Sequence, residues 1–271
     1  MWALARATVI EPVDMEEGRR YPVVYEVPGF GGDHNRALWV GARMRSMPAD
    51  SDIGSLARNA YWVVLDPEGP NGHHLFADSA NNGPVSQALT RELIPAIDEA
   101  FQTIAAPSAR LLRGHSSGGW SVIWLMLNWP DVFGGAWSSS PDPVDFSSFQ
   151  AVDIYTEANM YRREDKSRDK ANEIVWIPSY KDEHGNVGMT IRQENRMEEV
   201  LGPGNTSGQQ WDSWLAVLAQ EEPTARPRTS STRARARSIG AWRGSTRSTT
   251  SCARCGANAP ATGPFSRTGS G

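Results

Sequence analysis

Cysteine is almost absent from this chain: Cys252 and Cys255 stand three apart near its end. A lone C-x-x-C with no βαβ setting and no further ligands makes neither a redox pair nor a zinc site, so no metal and no cofactor is expected. Long apolar runs are missing too. No stretch approaches the roughly 20 residues that cross a bilayer. The opening MWALARATVI lacks a basic start, an apolar core and a small-residue cleavage site. Neither a membrane partner nor a signal peptide is expected; a cytoplasmic location is the default, and export follows only if an upstream segment is missing. Histidine is the third scarcity. There are five, and none lies beyond His184.

What the chain does contain is enough for one large domain: 271 residues, 39% of them hydrophobic, with a net charge of -4. The charge is unevenly divided. Residues 221–271 hold nine arginines, no lysine and two acids, so the first 220 residues carry -11 against a tail of +7. The tail is Arg, Ser, Thr, Ala, Gly and Pro, with Ile239, Trp242 and Phe265 as its large apolar residues. Such a composition buries too little surface to offset its ordering entropy. Three readings fit it: a basic arm attracting phosphates, a plain flexible tail, or a GC-rich reading frame translated out of register. The last is preferred, because GC-rich codons read out of frame yield mostly these six residue types, and nucleic acid is therefore not the expected partner. The oligomeric state is not legible.

From Tyr21 to Pro141 the pattern alternates. Short β-rich runs at 21–29, 60–69, 109–116 and 133–141 end in turn residues. Between them lie helical patterns. Val85, Leu89, Leu93, Ile97, Phe101 and Ile104 recur at spacings of three and four after a polar SANNG that can cap the first turn, with Pro95 expected to kink the helix. Residues 117–128 are apolar nearly all round and predict a buried helix. Strands separated by helices imply a mostly parallel sheet with right-handed crossovers and an α/β fold. Residues 142–220 are less regular and read as an insertion or lid, with a solvated charged stretch at 161–170. The eleven tryptophans fit core filling and a pocket wall equally well.

RGHSSGGWS, residues 113–121, carries Gly114-His115-Ser116-Ser117-Gly118, the G-x-S-x-G spacing of a nucleophilic serine on a strand-to-helix turn. The bare pattern is weak; its place between an apolar strand and a buried helix is what gives it weight. A serine hydroxyl needs a base, an acid that orients the base, and donors for the oxyanion. Ser117 offers its backbone N–H, and the glycine loop PGFGGD at 28–33 offers that of Phe30 or Gly31.

At these residues a family resemblance enters. YPVVYEVPGFGG, FADSANNGP, ELIPAIDEAF, GHSSGGW and WPDVFGGAWSSSPDPVDF resemble the putative-esterase family of the α/β-hydrolase superfamily, with its enterochelin esterase, esterase D and mycolyltransferase relatives, over roughly residues 20–215. The resemblance implies an α/β-hydrolase-type fold, a small-molecule ester substrate, Ser116 as nucleophile, and oxyanion donors from Phe30 or Gly31 and Ser117. Two departures matter. Pro28-Gly29 stands where many relatives have His-Gly, and the arginine-rich tail stands where the family's acid and histidine should be, so the fold is expected to be incomplete at its C-terminal end.

His115 sits inside the elbow, His34 follows the glycine loop, and His73 and His74 follow the 60–69 strand, where they could line the site, although a surface-loop reading is preferred. His184, in YKDEHGNVG, is a candidate base by chain order alone. Asp142 and Asp145 follow the 133–141 strand; Asp142 is the candidate acid, and a turn or capping role is preferred for both. Two functions are therefore carried forward: a serine hydrolase cleaving a carboxylic ester through an acyl-enzyme on Ser116, and an impaired or binding-only protein of the same fold.

Overall fold

The computed structural model describes residues 6–13, 15–149, 151–164 and 174–218. The tail at 221–271, with Cys252 and Cys255, lies outside the described residues, as does most of the charged stretch at 161–170; Arg162 and Arg163 within it are exposed.

Five strands form the main sheet: β1 (Ala7–Ile10), β2 (Val23–Val27), β3 (Tyr61–Leu65), β4 (Arg110–His115) and β5 (Gly135–Ser139). Their order across the sheet is β1-β3-β2-β4-β5. The last four run parallel, and all four coincide with the β-rich runs of the sequence. β1 pairs antiparallel with β3, from Ala7 opposite Leu65 to Ile10 opposite Trp62. The sequence reading missed it, because ATVI is short and has no alternation to distinguish it.

The sheet is covered on both faces, which is why β2 and β3 are apolar at nearly every position. Successive side chains point to opposite faces. Val23, Tyr25, Val27, Tyr61, Val63, Leu65 and Leu112 form one core with Leu89, Ile94, Ile97, Val122, Leu125 and Phe133. Val24, Trp62 and Val64 form another, against helix α1 (Ala37–Ser46) and helix α2 (Asp52–Arg58). The one charge buried within these strands, Glu26, lies directly opposite Arg113 of β4 and pairs with it at 2.5 Å.

The helix predicted after Pro84 is α3, spanning 85–100; Phe101 turns extended, so Phe101 and Ile104 of the predicted periodicity lie beyond its end. It widens into a π-helical turn at Leu89–Leu93, immediately before Pro95. Proline has no N–H to give to the preceding turn, and the wider turn carries the helix past it without a break. Its first turn is capped by Asp78, which accepts the Ser86 N–H at 2.7 Å, and by Gly83 of the SANNG stretch, whose carbonyl accepts the Val85 N–H at 3.0 Å. Helix α4 (Ser117–Asn128) covers the same residues as the predicted buried helix.

Within 142–218 the described residues include two small antiparallel ribbons and two helices, α5 (Ile191–Leu201) and α6 (Gln210–Leu218). A Thr190–Gln193 capping box starts α5. α6 is joined to the body by stacked and edge-on rings: Trp120 lies flat on Trp124 and edge-on to Trp214, with centroids 5.6 and 5.2 Å apart. At its far end, the Ala216 carbonyl accepts from Ser79 Oγ and Asn81 Nδ2. The SANNG stretch thus holds the last turn of α6 as well as the first turn of α3.

The start of α6 rests on a buried carboxylate. Glu198 of α5 is fully buried and accepts the N–H groups of Trp211 and Asp212 at 3.1 and 3.0 Å. These are two of the orphan donors that every helix N-terminus presents. Burial nonetheless pushes the Glu198 carboxyl up to about 7. The folded protein therefore holds a proton that the unfolded chain releases near 4.5, and this contribution to stability is lost as pH rises through about 7. Relative to Glu198→Gln, the wild type should lose roughly 2 kcal/mol between pH 5 and pH 8, measured by urea denaturation. A pH-independent difference between the two proteins would contradict this.

Candidate active site

The chain crosses from one side of β2 to the other between β3 and β4, so the carboxyl ends of β2 and β4 flank a topological switch point. Crevices at such points are where open α/β sheets bind ligands. The glycine loop leaves β2 there, and the Ser116 turn leaves β4 beside it.

Ser116 has φ +57 and ψ -125, a backbone conformation that L residues rarely adopt. Its N–H donates to the Ser139 carbonyl at 3.1 Å, and its own carbonyl accepts from Trp120 and Asp142. Glycines make the turn possible. A Cβ on Gly118 would land inside the Val27 carbonyl and against that of Pro28, and one on Gly114 would land inside the Gly118 carbonyl. The elbow and the end of β2 are thus in backbone contact.

The glycine loop closes as a turn in which the Gly32 N–H bonds to the Gly29 carbonyl at 2.9 Å, with Gly31 at φ +74. Among the described residues, the backbone N–H groups of Phe30, Gly31 and Ser117 have no protein acceptor. Free N–H groups on rigid backbone are what an oxyanion requires.

His73 and His74 are both buried, at 1% and 8% exposed, which overturns the surface-loop reading. Their rings are tied into the backbone: Nδ1 of each accepts the N–H of the residue two further on, Leu75 and Phe76, at 3.2 Å. Those two residues have φ of +55 and +51, so the imidazoles support a left-handed turn that contains no glycine. With Nδ1 of His73 occupied as an acceptor, its Nε2 carries the proton and donates to the Pro28 carbonyl at 3.0 Å. That bond steadies the loop bearing Phe30 and Gly31. Burial holds His73 down to about 4 and His74 to about 3, the neighbouring His73 adding to the second shift.

A shallow cleft lies beside the elbow, lined by Phe30, His73, Leu75, Ser117, Gln210, Ser213 and Trp214. Trp214 serves both of the roles considered for tryptophan: it packs on Trp120 and walls the cleft. Trp39 and Trp137 do neither, being 53% and 72% exposed.

The remaining histidines are elsewhere. His34 Nδ1 is 3.0 Å from Thr8 Oγ1, with Nε2 3.7 Å from Asp66. His115 is exposed at the end of β4. His184 lies at the exposed tip of the ribbon formed by Pro178–Lys181 and Val187–Thr190, with its ring near Glu183 and its N–H bonded to Asp182. Among the described residues, no imidazole hydrogen-bonds to Ser116. Its side-chain partner is Asp142: Ser116 Oγ donates to Oδ1 at 3.3 Å, and Ser117 Oγ donates to Oδ2 at 2.6 Å. The candidate acid therefore meets the serine directly rather than through a histidine. Asp145 caps the short turn at Phe146–Ser148, and the Ser147 N–H and hydroxyl lower its carboxyl.

The family model described as "Putative esterase" matches residues 5–231, most of the chain. The chain belongs to this esterase family. No curated protein matches it. Among solved structures, it is similar to the fluorophosphonate-binding serine hydrolase F of Staphylococcus aureus, with 16% identity, a TM-score of 0.43, and coverage of 61% of this chain and 58% of that one. An S-formylglutathione hydrolase from Agrobacterium tumefaciens shares 20% identity, with a TM-score of 0.37 and coverage of 48% and 50%. A CE1 ferulic acid esterase from the anaerobic fungus Anaeromyces mucronatus shares 18%, with a TM-score of 0.38 and coverage of 74% and 73%. The chain spans little more than half the length of the staphylococcal hydrolase.

Two outcomes follow from the site's packing. A Cβ at residue 118 has no room unless the end of β2 retreats, so Gly118→Ala should lower stability by about 1–3 kcal/mol and disturb the elbow, read by urea denaturation and near-UV circular dichroism. The two buried histidines bind fewer protons folded than unfolded, so their contribution is complete above pH 6.5 and is lost as pH falls toward 4. They outnumber Glu198, whose effect has the opposite sign, so stability should fall on acidification. Substituting His74 by Phe should flatten that fall; an unchanged pH profile would count against it.

Proposed function

We propose that this chain is built as a serine hydrolase that cleaves a carboxylic ester of a small molecule through an acyl-enzyme on Ser116. The observation that carries the reading is the Ser116 turn itself, a non-glycine residue at φ +57 between β4 and α4, at the switch point of the sheet. Strain of this kind persists only where the surrounding packing maintains it. In the proposed reaction, Ser116 Oγ attacks the ester carbonyl, and the N–H groups of Ser117 and of Phe30 or Gly31 receive the developing oxyanion. His73 acts one step back, by fixing the Pro28 carbonyl and with it the glycine loop. The segment at 142–218 supplies Gln210, Ser213 and Trp214 to the cleft, and we assign it the role of cover over the acyl group.

One observation favours a second reading, a binding-only or impaired member of the family: no histidine among the described residues reaches Ser116. Without a general base, most acceleration is lost, although oxyanion donors and binding alone retain roughly 10³-fold to 10⁴-fold over water. A fluorophosphonate probe separates the two. The hydrolase reading expects covalent labelling of the full chain that disappears in Ser116→Ala. Absence of labelling in the wild type, or labelling that survives the substitution, would reject Ser116 as nucleophile.

A further inference from the structure

Ser116 Oγ has one side-chain hydrogen-bond partner among the described residues, and that partner is a carboxylate. We infer that Asp142 is itself the general base, taking the serine proton directly in the place where a histidine would stand. The inference rests on the reading of Ser116 as nucleophile.

Asp142 is held on three sides. Its backbone N–H donates to the Ser116 carbonyl at 3.3 Å, its Oδ2 accepts from Ser117 Oγ at 2.6 Å, and its Oδ1 accepts from Ser116 Oγ at 3.3 Å. The residue is half-buried, and it follows β5 by a turn in which Ser140 has φ +43. The carboxylate thus has one oxygen fixed by Ser117 and the other left to the nucleophile. His73 is the titratable side chain that feels its charge, and burial keeps His73 neutral above about 4. The nearby His115 and Asp145 are exposed.

The proton inventory closes without any added reagent. In acylation, the Ser116 Oγ–H proton passes to Asp142 Oδ1, the Oγ–carbon bond forms, and the carbonyl electron pair moves onto the oxyanion. Collapse re-forms the carbonyl and breaks the bond to the alcohol, whose oxygen takes the proton back from Asp142. In deacylation, water gives a proton to Asp142 as its oxygen attacks the acyl carbon, and the departing Ser116 Oγ recovers that proton. The carboxylate becomes neutral as the oxyanion forms, so the net charge of the site is constant through each attack.

The test is the rate of fluorophosphonate labelling of the full chain between pH 5.5 and 8, for the wild type, Ser116→Ala and Asp142→Asn. An unperturbed imidazole base protonates near 6.5 and would impose a fall in rate below that pH, which a reaction that uses no imidazole does not show. The wild-type rate should therefore be flat, and Asp142→Asn, which keeps the shape and an acceptor for Ser117, should lower it about 100-fold or more. A wild-type rate that falls tenfold per pH unit below 6.5 would overturn the assignment, and so would Asp142→Asn labelling within threefold of wild type. The pH profile decides the matter even if the variant does not fold. Failure of the wild type to label at all would remove the Ser116 reading itself, whereas labelling lost only in Ser116→Ala leaves that reading intact and rejects Asp142 alone.

Discussion

The left-handed backbone of Ser116 depends on the close approach of two strand ends. β2 and β4 are paired along Val23–Val27 and Arg110–Gly114, and at their carboxyl ends the chains turn away within contact of each other's backbone. Gly29, Gly114 and Gly118 occur where a methyl group would meet backbone atoms. The elbow strain is therefore maintained by the hydrophobic sheet below it, with Val27 and Leu112 almost fully buried on either side of the switch point. The geometry of Ser116 and the stability of the sheet are coupled here, since a slip of β4 against β2 would release the strain and move Ser116 together.

A second strained turn supports the first from the opposite side. Leu75 and Phe76 are left-handed without glycine, and the imidazoles of His73 and His74 occupy their N–H groups. Both rings must be neutral for Nδ1 to accept, and burial ensures this at physiological pH. The same burial makes the loop acid-sensitive, because protonation would convert each acceptor into a donor facing an N–H. His73 then links the two turns through the Pro28 carbonyl. Leu75 and Trp214 close the cleft between them.

The sequence made the parallel core legible because β2, β3 and β4 are buried on both faces and separated by periodic helices, and this leaves a compositional trace. The elbow was legible for a different reason: glycine at 114 and 118 is a steric requirement of the backbone itself. β1 left no such trace. The roles of His73, His74 and Asp142 depend on contacts across 45, 2 and 26 residues respectively, and no spacing rule encodes the long ones. The short one, an imidazole accepting from residue i+2, was hidden because left-handed leucine and phenylalanine are too rare to be expected.

The sheet's outer edge bears on the base. Among the described residues nothing pairs with the far side of β5, and Trp137 on it is 72% exposed. Asp142 follows this strand by a short turn, and its bonds to the Ser116 carbonyl, Ser117 Oγ and Ser116 Oγ tie it to the elbow. A triad imidazole needs a second residue to orient it and fix its tautomer. A carboxylate needs neither, since both oxygens accept and either can take the proton. In the proposed site, Ser116 and Ser117 on the strand-helix turn meet Asp142 on the turn after β5, and the glycine loop after β2 lies beside them. Such a compact site can be complete while a single parallel pair, β4 and β5, holds its geometry.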